Sequence, residues 1–234
     1  MLAARRSWTG AAFSEFRTGA ACAATVRTLS EARAPIDLIG LASRFPIDEM
    51  VHVEIYSRIA GELGGAVNFA YDQKGMIGDY GIDEHPIVQA AHLVVAYFCV
   101  GEALSIPLLH GTWQVSEHPL IKAALQRIVL DEAEHGTFGW SYLDWANHHL
   151  DDNDRSSLGE TADATIQTVL DRWKLLRQEK AGSSAFALGW MGGEEYLKLA
   201  HCCLVEFQSP TAWSITSATS LPNGTNNSAK IYCL

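Results

Sequence analysis

The sequence predicts an all-α fold, a bundle of four helices followed by accessory helices, and three observations favour it. Apolar residues recur at helical spacing along most of the 234 residues, and the alternation typical of strands is scarce. Proline and glycine divide the chain into segments of helical length. Two of these segments carry the same string, Asp-Glu-x-x-His, at 48–52 and 131–135. The string places charge where the helical pattern expects apolar side chains.

Two helices are predicted in the first 65 residues. An alanine-rich segment favours a helix from Thr9 to Arg33, which ends because Pro35 follows it. A second helix begins after Pro35 and ends at the glycine-rich segment 61–65. It contains Pro46, so a kink is expected just before the first copy of the string.

The next two predicted helices carry the most apolar part of the chain and the second copy of the string. Residues 66–84 are predicted to be a loop, and a helix opened by a proline is predicted at 86–109. This helix contains Glu102, so we expect it to be buried in a bundle rather than to span a membrane. The fourth helix is expected at 116–149, where a serine is a suitable N-cap.

One domain is expected over 1–207, with accessory helices from about residue 156. A fifth helix is predicted at 158–178 and a short sixth at 194–207. The final segment, 208–234, is rich in Ser, Thr and Asn and lacks periodicity. It is therefore predicted to be irregular or disordered.

Composition and charge exclude several classes of function. The net charge is −10, so a nucleic-acid partner is not expected. Neither a signal peptide nor a membrane span is expected, because charged residues interrupt the apolar runs. Five cysteines, odd in number and without a Cys-x-x-Cys pair, are typical of reduced thiols. We therefore expect a cytoplasmic protein.

The repeated string is the main functional signal. With 27 acidic residues and 9 histidines in the chain, a random Asp-Glu-x-x-His is expected roughly 0.03 times. Two accidental copies are therefore improbable, whereas a single Glu-x-x-His would mean little in this composition.

Helix geometry indicates that two further acids lie at the level of the strings. Glu15 and Glu49 lie roughly 24 Å and 20 Å of helix rise from the turn that joins their helices. The corresponding values for Glu102 and Glu132 are roughly 18 Å and 22 Å. Six side chains are thus expected to converge on one metal site, and no catalytic residue beyond them is predicted. These ligands are Glu15, Glu49, His52, Glu102, Glu132 and His135.

The residue types then select the metal. Four carboxylates and two imidazoles suit two iron ions, or manganese or a mixed pair, better than zinc or calcium. The carboxylates also offset the charge of two divalent ions, which explains acids at apolar positions. Asp48 and Asp131 are each expected to accept the free ring N–H of the histidine in the opposite string. The alternative is a buried ion-pair network without metal, which the cost of burial disfavours.

The doubled spacing resembles that of the ferritin-like di-iron carboxylate superfamily over residues 10–150. It is most similar to p-aminobenzoate N-oxygenase and related amine-oxidising enzymes. Two features differ from them. Ile128 stands where those N-oxygenases carry an additional histidine ligand, and Val51 and Glu134 stand where many relatives carry an arginine.

The resemblance implies an oxidoreductase that activates O₂ at two iron ions and oxidises a small organic substrate. The reaction would be amine N-oxygenation or C–H hydroxylation or desaturation. A ferredoxin or flavin reductase would supply electrons, and a homodimer is compatible with the resemblance. Two alternatives stay open: an iron-handling ferroxidase or storage-type protein, and a non-catalytic helical domain with a vestigial metal site.

A substrate pocket is predicted beside the acids of the first and third helices. Small side chains next to a buried metal site leave volume that a ligand-free bundle would fill with Leu or Ile. The residues expected to line this pocket are Ala12, Thr18, Cys99 and Ser105. The alternative is that small residues merely let the helices approach closely.

Overall fold

The computed structural model shows a helical protein, and the all-α prediction is confirmed. Residues 2–68, 77–80, 84–176, 187–189 and 198 are described. Within these ranges the chain forms α-helices, one π-helical segment and one 3-10 turn, and no strand. The α-helices are α1 Leu2–Glu31, α2 Ile36–Ala42, α3 Phe45–Glu62, α4 Pro86–Val94, α5 Glu102–Val115, α6 Pro119–Ala146 and α7 Asp152–Leu176. The π segment, Val95–Gly101, joins α4 to α5, and the 3-10 turn, Asn147–His149, follows α6.

Helix α1 begins at Leu2, one to two turns earlier than the expected start at Thr9. Tertiary contacts hold these additional turns. The Arg5 Nε donates to the Gly65 carbonyl at 2.7 Å, and the Trp8 indole donates to the Leu188 carbonyl at 3.0 Å. Neither contact could be predicted from the local sequence, because each joins residues far apart in the chain.

The second predicted helix is two helices, separated at Ser43 and Arg44. Pro46 lies in the first turn of α3, where its missing N–H costs no hydrogen bond, rather than at a kink inside a helix. The break turns Phe45 into the core, where it is fully buried. Its ring lies 4.2 Å from that of His135.

The later boundaries also shift from the predicted ones. The apolar helix predicted at 86–109 continues to Val115, and the helix that follows starts at Pro119 rather than at Ser116. Helix α7 begins at 152, because the Asp151 and Asp154 side chains each accept the other's backbone N–H. The predicted helix at 194–207, apart from residue 198, and the tail at 208–234 lie outside the described residues.

The helices pack as two antiparallel pairs, α1 with α3 and α5 with α6. Arg5 meets Gly65 at one end of the first pair. The Tyr142 hydroxyl on α6 donates to the Ile87 carbonyl on α4, which continues through the π segment into α5. The pairs meet where α1 contacts α4 and α3 contacts α6, and α7 covers α4 and the π segment.

Two apolar clusters fill the interior above and below one level. Members of the first include Leu29, Phe98 and Phe138, and members of the second include Trp8 and Leu125. Acids and histidines occupy the level between them. They are buried on α3, α5 and α6, and the one on α1, Glu15, is half-buried. The fold thus sets a polar layer between two apolar ones.

The helix Pro86–Val115 is the one stretch of the described chain long and apolar enough to cross a membrane. In the fold, 67% of its most apolar window is buried against other helices. It is therefore consistent with the core helix of a soluble protein, as the sequence predicted.

Candidate metal centre

The structure brings the six predicted ligands together in two overlapping groups of four. The first quartet consists of Glu15, Glu49, His52 and Glu132, and the second quartet consists of Glu49, Glu102, Glu132 and His135. Within each quartet the candidate ligand atoms lie within 4.8 Å of one another. Glu49 and Glu132 belong to both. The cluster could therefore hold a metal ion, and the shared acids connect its two halves.

Helix geometry places the two candidate ligands of each string on the same side of its helix. Glu49 and His52 are three residues apart and share a face of α3, as Glu132 and His135 do on α6. Helices α3 and α6 run antiparallel, so the two strings face each other in opposite directions. Glu102 is added from the start of α5.

The two shared carboxylates span the gap between the histidines. The His52 Nδ1 lies 3.1 Å from Glu132 Oε1 and 3.8 Å from Glu49 Oε2. The His135 Nδ1 lies 2.8 Å from Glu132 Oε2 and 3.3 Å from Glu49 Oε1. Each carboxylate thus offers one oxygen to each histidine, which is the arrangement of a bridging ligand.

These atoms face one another without forming hydrogen bonds. Among the described residues, seven buried side-chain polar atoms lack a hydrogen-bond partner, and six of them belong to Glu49, His52, Glu132 and His135. Buried polar atoms without partners cost free energy, so they are rare in native proteins. Cations placed between the oxygens and the Nδ1 atoms would satisfy five of the six, since the His135 Nε2 faces Asp48 instead. The donor set therefore fits a metal better than an ion-pair network.

Both string aspartates lie against the opposite histidine. The His52 Nε2 donates to Asp131 Oδ2 at 3.2 Å, which directs the Nδ1 lone pair toward the carboxylates. The His135 Nε2 lies 3.7 Å from Asp48 Oδ2, too far for a hydrogen bond. Asp131 also accepts from the Arg127 Nε at 2.7 Å. Both aspartates therefore lie where they were expected, but only Asp131 forms the expected hydrogen bond with a histidine ring.

Burial and mutual repulsion shift the pKa values of the metal-free cluster. Burial and then neighbouring carboxylates raise the pKa values of Glu15 and Glu102 well above the usual range. Burial alone would lower the histidine pKa values, but contacts with Glu132 and Glu49 raise them to about 10 for His52 and about 11 for His135.

The Glu49 pKa falls to about 2, since its histidine contacts outweigh the effect of burial. Without metal, the cluster therefore retains protons to balance its carboxylates.

The π segment immediately before Glu102 was not predicted from the sequence. A π turn widens the helix and changes the direction in which the next side chains point, and such segments are frequent at functional sites. Gly101 fits this backbone, because a Cβ there would lie 3.1 Å from the Ala96 carbonyl oxygen. A glycine inside an apolar helix was the available signal.

Two glycines let the helices approach closely enough for the acids to meet. A Cβ on Gly19 would lie 2.6 Å from the Met50 Cε and 3.1 Å from the Glu49 Cβ. A Cβ on Gly139 would lie 2.8 Å from the Cys99 Sγ and 3.1 Å from its backbone nitrogen. Close approach thus explains part of the small-residue pattern around the site.

The predicted pocket is found in part. A cavity of about 640 Å³ reaches Glu102 and is lined by Thr18 and Ser105 as expected. The Ser105 hydroxyl also donates to Glu102 Oε2 at 3.0 Å. Ala12 instead packs against the second apolar cluster, and Cys99 is buried against Gly139 rather than in the cavity wall. Helix α7, which supplies the opposite wall, was not expected there.

Comparison of the chain with family models, curated proteins and solved structures found no match in any of the three. The resemblance to the ferritin-like superfamily therefore stays a prediction. The functional interpretation depends on the arrangement of the six side chains and on the cavity beside Glu102.

Proposed function

We propose that this protein is an O₂-dependent non-haem di-iron oxidoreductase with a ferritin-like four-helix bundle. The single observation that supports it most is the pair of quartets that share Glu49 and Glu132. Two metal positions with two common carboxylates explain why the string is repeated on facing helices. The buried carboxylate oxygens and ring nitrogens without hydrogen-bond partners support the same conclusion.

Charge and ligand type favour two ions of iron, with manganese or a mixed pair as the alternative. Four carboxylates and two neutral imidazoles offset two divalent cations, so the buried cluster becomes neutral. Glu15 and His52 would hold one ion and Glu102 and His135 the other, each together with both shared acids. Thiolates are absent from the quartets, which argues against zinc.

When bound, the two ions would supply the redox chemistry that reduces O₂ during oxidation of a substrate. A hydroxylation would consume O₂, two electrons and two protons, and would release one water. The chain's own part is to orient its ligands: Asp131 fixes the His52 ring, and Ser105 fixes the Glu102 carboxylate. The apolar clusters on both sides exclude bulk water from this layer.

The cavity at Glu102 favours an organic substrate over storage of iron alone. It is of the size that small-molecule sites occupy, and it reaches one candidate ligand directly. We further propose that a ferredoxin or flavin reductase delivers the electrons in the cytoplasm. A homodimer is compatible with this function, and the substrate would be an amine or a compound with an oxidisable C–H bond.

Anaerobic loading with Fe(II) tests the proposal. We expect about two ions per chain and a change in the visible spectrum when O₂ is admitted. Glu132→Ala should lose metal and O₂ reactivity but keep its helical content by circular dichroism. Glu134→Gln is the matched control, because Glu134 lies on the same helix, is exposed, and pairs with Arg44 at 3.1 Å.

Three results would contradict the proposal. Wild-type protein that binds no metal would leave the cluster an ion-pair network in a helical domain. Full metal occupancy in Glu132→Ala would remove the site assignment. Binding of many irons per chain, without O₂ uptake that depends on a substrate, would indicate an iron-handling protein rather than an oxidase.

A further inference from the structure

The cavity beside the candidate centre has a mixed polar and apolar lining. It lies between α1, the π segment with α5, and α7, and nine of its 21 lining residues carry hydroxyl groups. Leu104 and Leu108 add a short apolar stretch. Most of these hydroxyls already bond within the protein, as Thr18 does to the Ser14 carbonyl and Thr165 to the Thr161 carbonyl. The charged side chains of the wall therefore select the ligand more strongly than the hydroxyls do.

Among the residues that the structure describes, Arg17 is a cation of this wall without an ionic partner. It is half-buried, and no carboxylate in the described part of the chain lies within ion-pair distance of it. By contrast, Arg27, Arg44 and Arg127 each form an ion pair. Arg17 lies close to Tyr97, whose pKa burial raises to about 12 while the arginine charge opposes that rise.

The other charged side chains that line the cavity either belong to the candidate metal centre or lie at the exposed rim. Asp79, Glu160 and Arg172 are exposed, and Arg172 has further contacts. Glu102 belongs to the second quartet. A guanidinium in a partly desolvated wall gains most from an anion brought by a ligand, because it can donate two parallel hydrogen bonds.

We propose that the cavity binds a small molecule with a carboxylate or phosphate group, and that Arg17 holds this anionic group. The remainder of the molecule then extends along the hydroxyl-lined wall toward Glu102. That orientation rests on the proposed function, whereas binding of the anion by Arg17 does not require metal.

Calorimetric titration of the full chain, metal-free and loaded with Mn²⁺, tests this with hexanoate, hexyl phosphate and the neutral hexanamide. Both anions should bind at least about tenfold more tightly than the amide. Arg17→Gln should weaken anion binding by about 10- to 100-fold, and Arg17→Lys should retain part of it. Arg27→Gln is the matched control, since Arg27 is on the same helix and pairs with Glu31 in solvent.

The outcomes separate this inference from the proposed function. The inference is overturned if Arg17→Gln and Arg17→Lys bind the anions as tightly as the wild type. It is also overturned if anions bind only in the presence of Mn²⁺ and the substitutions at Arg17 have no effect. Arg17-dependent binding in a chain that takes up no metal supports it while the di-iron function fails. Whichever of hexanoate and hexyl phosphate binds more tightly identifies the anionic group.

Discussion

The two quartets contain the same residue types but have different surroundings. In the first, Glu15 is half-buried, and His52 is hydrogen-bonded to Asp131, which Arg127 braces from the surface. In the second, Glu102 is buried and bonded to Ser105. A repeated string therefore does not produce two equal sites, because residues outside the string decide how each half is held.

The difference suggests a division of roles. The first quartet is oriented by a chain of polar contacts that reaches solvent through Asp131. The second is oriented mainly by packing, since Phe45 lies against His135 and the cavity opens at Glu102. We expect the first to bind its ion more rigidly and the second to face the substrate.

The largest expected effect comes from the shared acids. Glu49→Ala should lose both ions, because it removes an oxygen from each quartet, whereas Glu15→Ala should lose only one. Metal counting after anaerobic loading measures this, with circular dichroism to confirm the fold. Equal metal loss in the two variants would show that the quartets are not separate positions.

A second prediction concerns packing around the second quartet. Gly139→Ala should destabilise the protein by about 1–3 kcal/mol, because its Cβ would meet the Cys99 backbone as well as its sulfur. Gly136→Ala should cost less, since its closest contact is the flexible end of Ile106 at 2.9 Å. Thermal unfolding of metal-free protein compares them, and a larger loss in Gly136→Ala would contradict the close approach of α6 to the π segment at Gly139.

The third prediction compares the two string aspartates. Asp131→Ala should reduce metal affinity by about 10- to 100-fold, as loss of a hydrogen bond to a ligand histidine does. Asp48→Ala should have a smaller effect, because Asp48 lies 3.7 Å from the His135 Nε2 without a hydrogen bond. Competition with a chelator gives both affinities. The reverse order would mean that the His135 side is the better oriented one.

Sequence reasoning succeeded where local periodicity and helix length decide the result. Hairpins with similar arm lengths return Glu15 to the level of Glu49, and Glu102 to that of Glu132, so convergence could be predicted. Four other features could not be predicted: the first turns of α1, the break before Phe45, the π segment and the cavity wall from α7. The α1 turns, the break and the α7 wall depend on contacts between residues far apart in the chain, whereas the π segment had one local signal, Gly101.

The smallest expected effect is at Arg127, the exposed end of the polar chain behind the first quartet. Its Nε–Oδ2 contact with Asp131 is 2.7 Å, equal to the contact between Arg58 and Glu54, and both are i,i+4 pairs on a helix surface. Exposed pairs contribute little and are screened by salt. Only the first pair, however, leads to a histidine of the cluster.

Arg127→Gln should therefore lower metal affinity less than about fivefold at low salt, and the difference should shrink at high salt. Arg58→Gln should leave affinity unchanged at both salt concentrations. Chelator competition at two ionic strengths measures both variants. If they behave alike, the surface arginine does not help to orient His52, and Asp131 alone accounts for the contrast between the quartets.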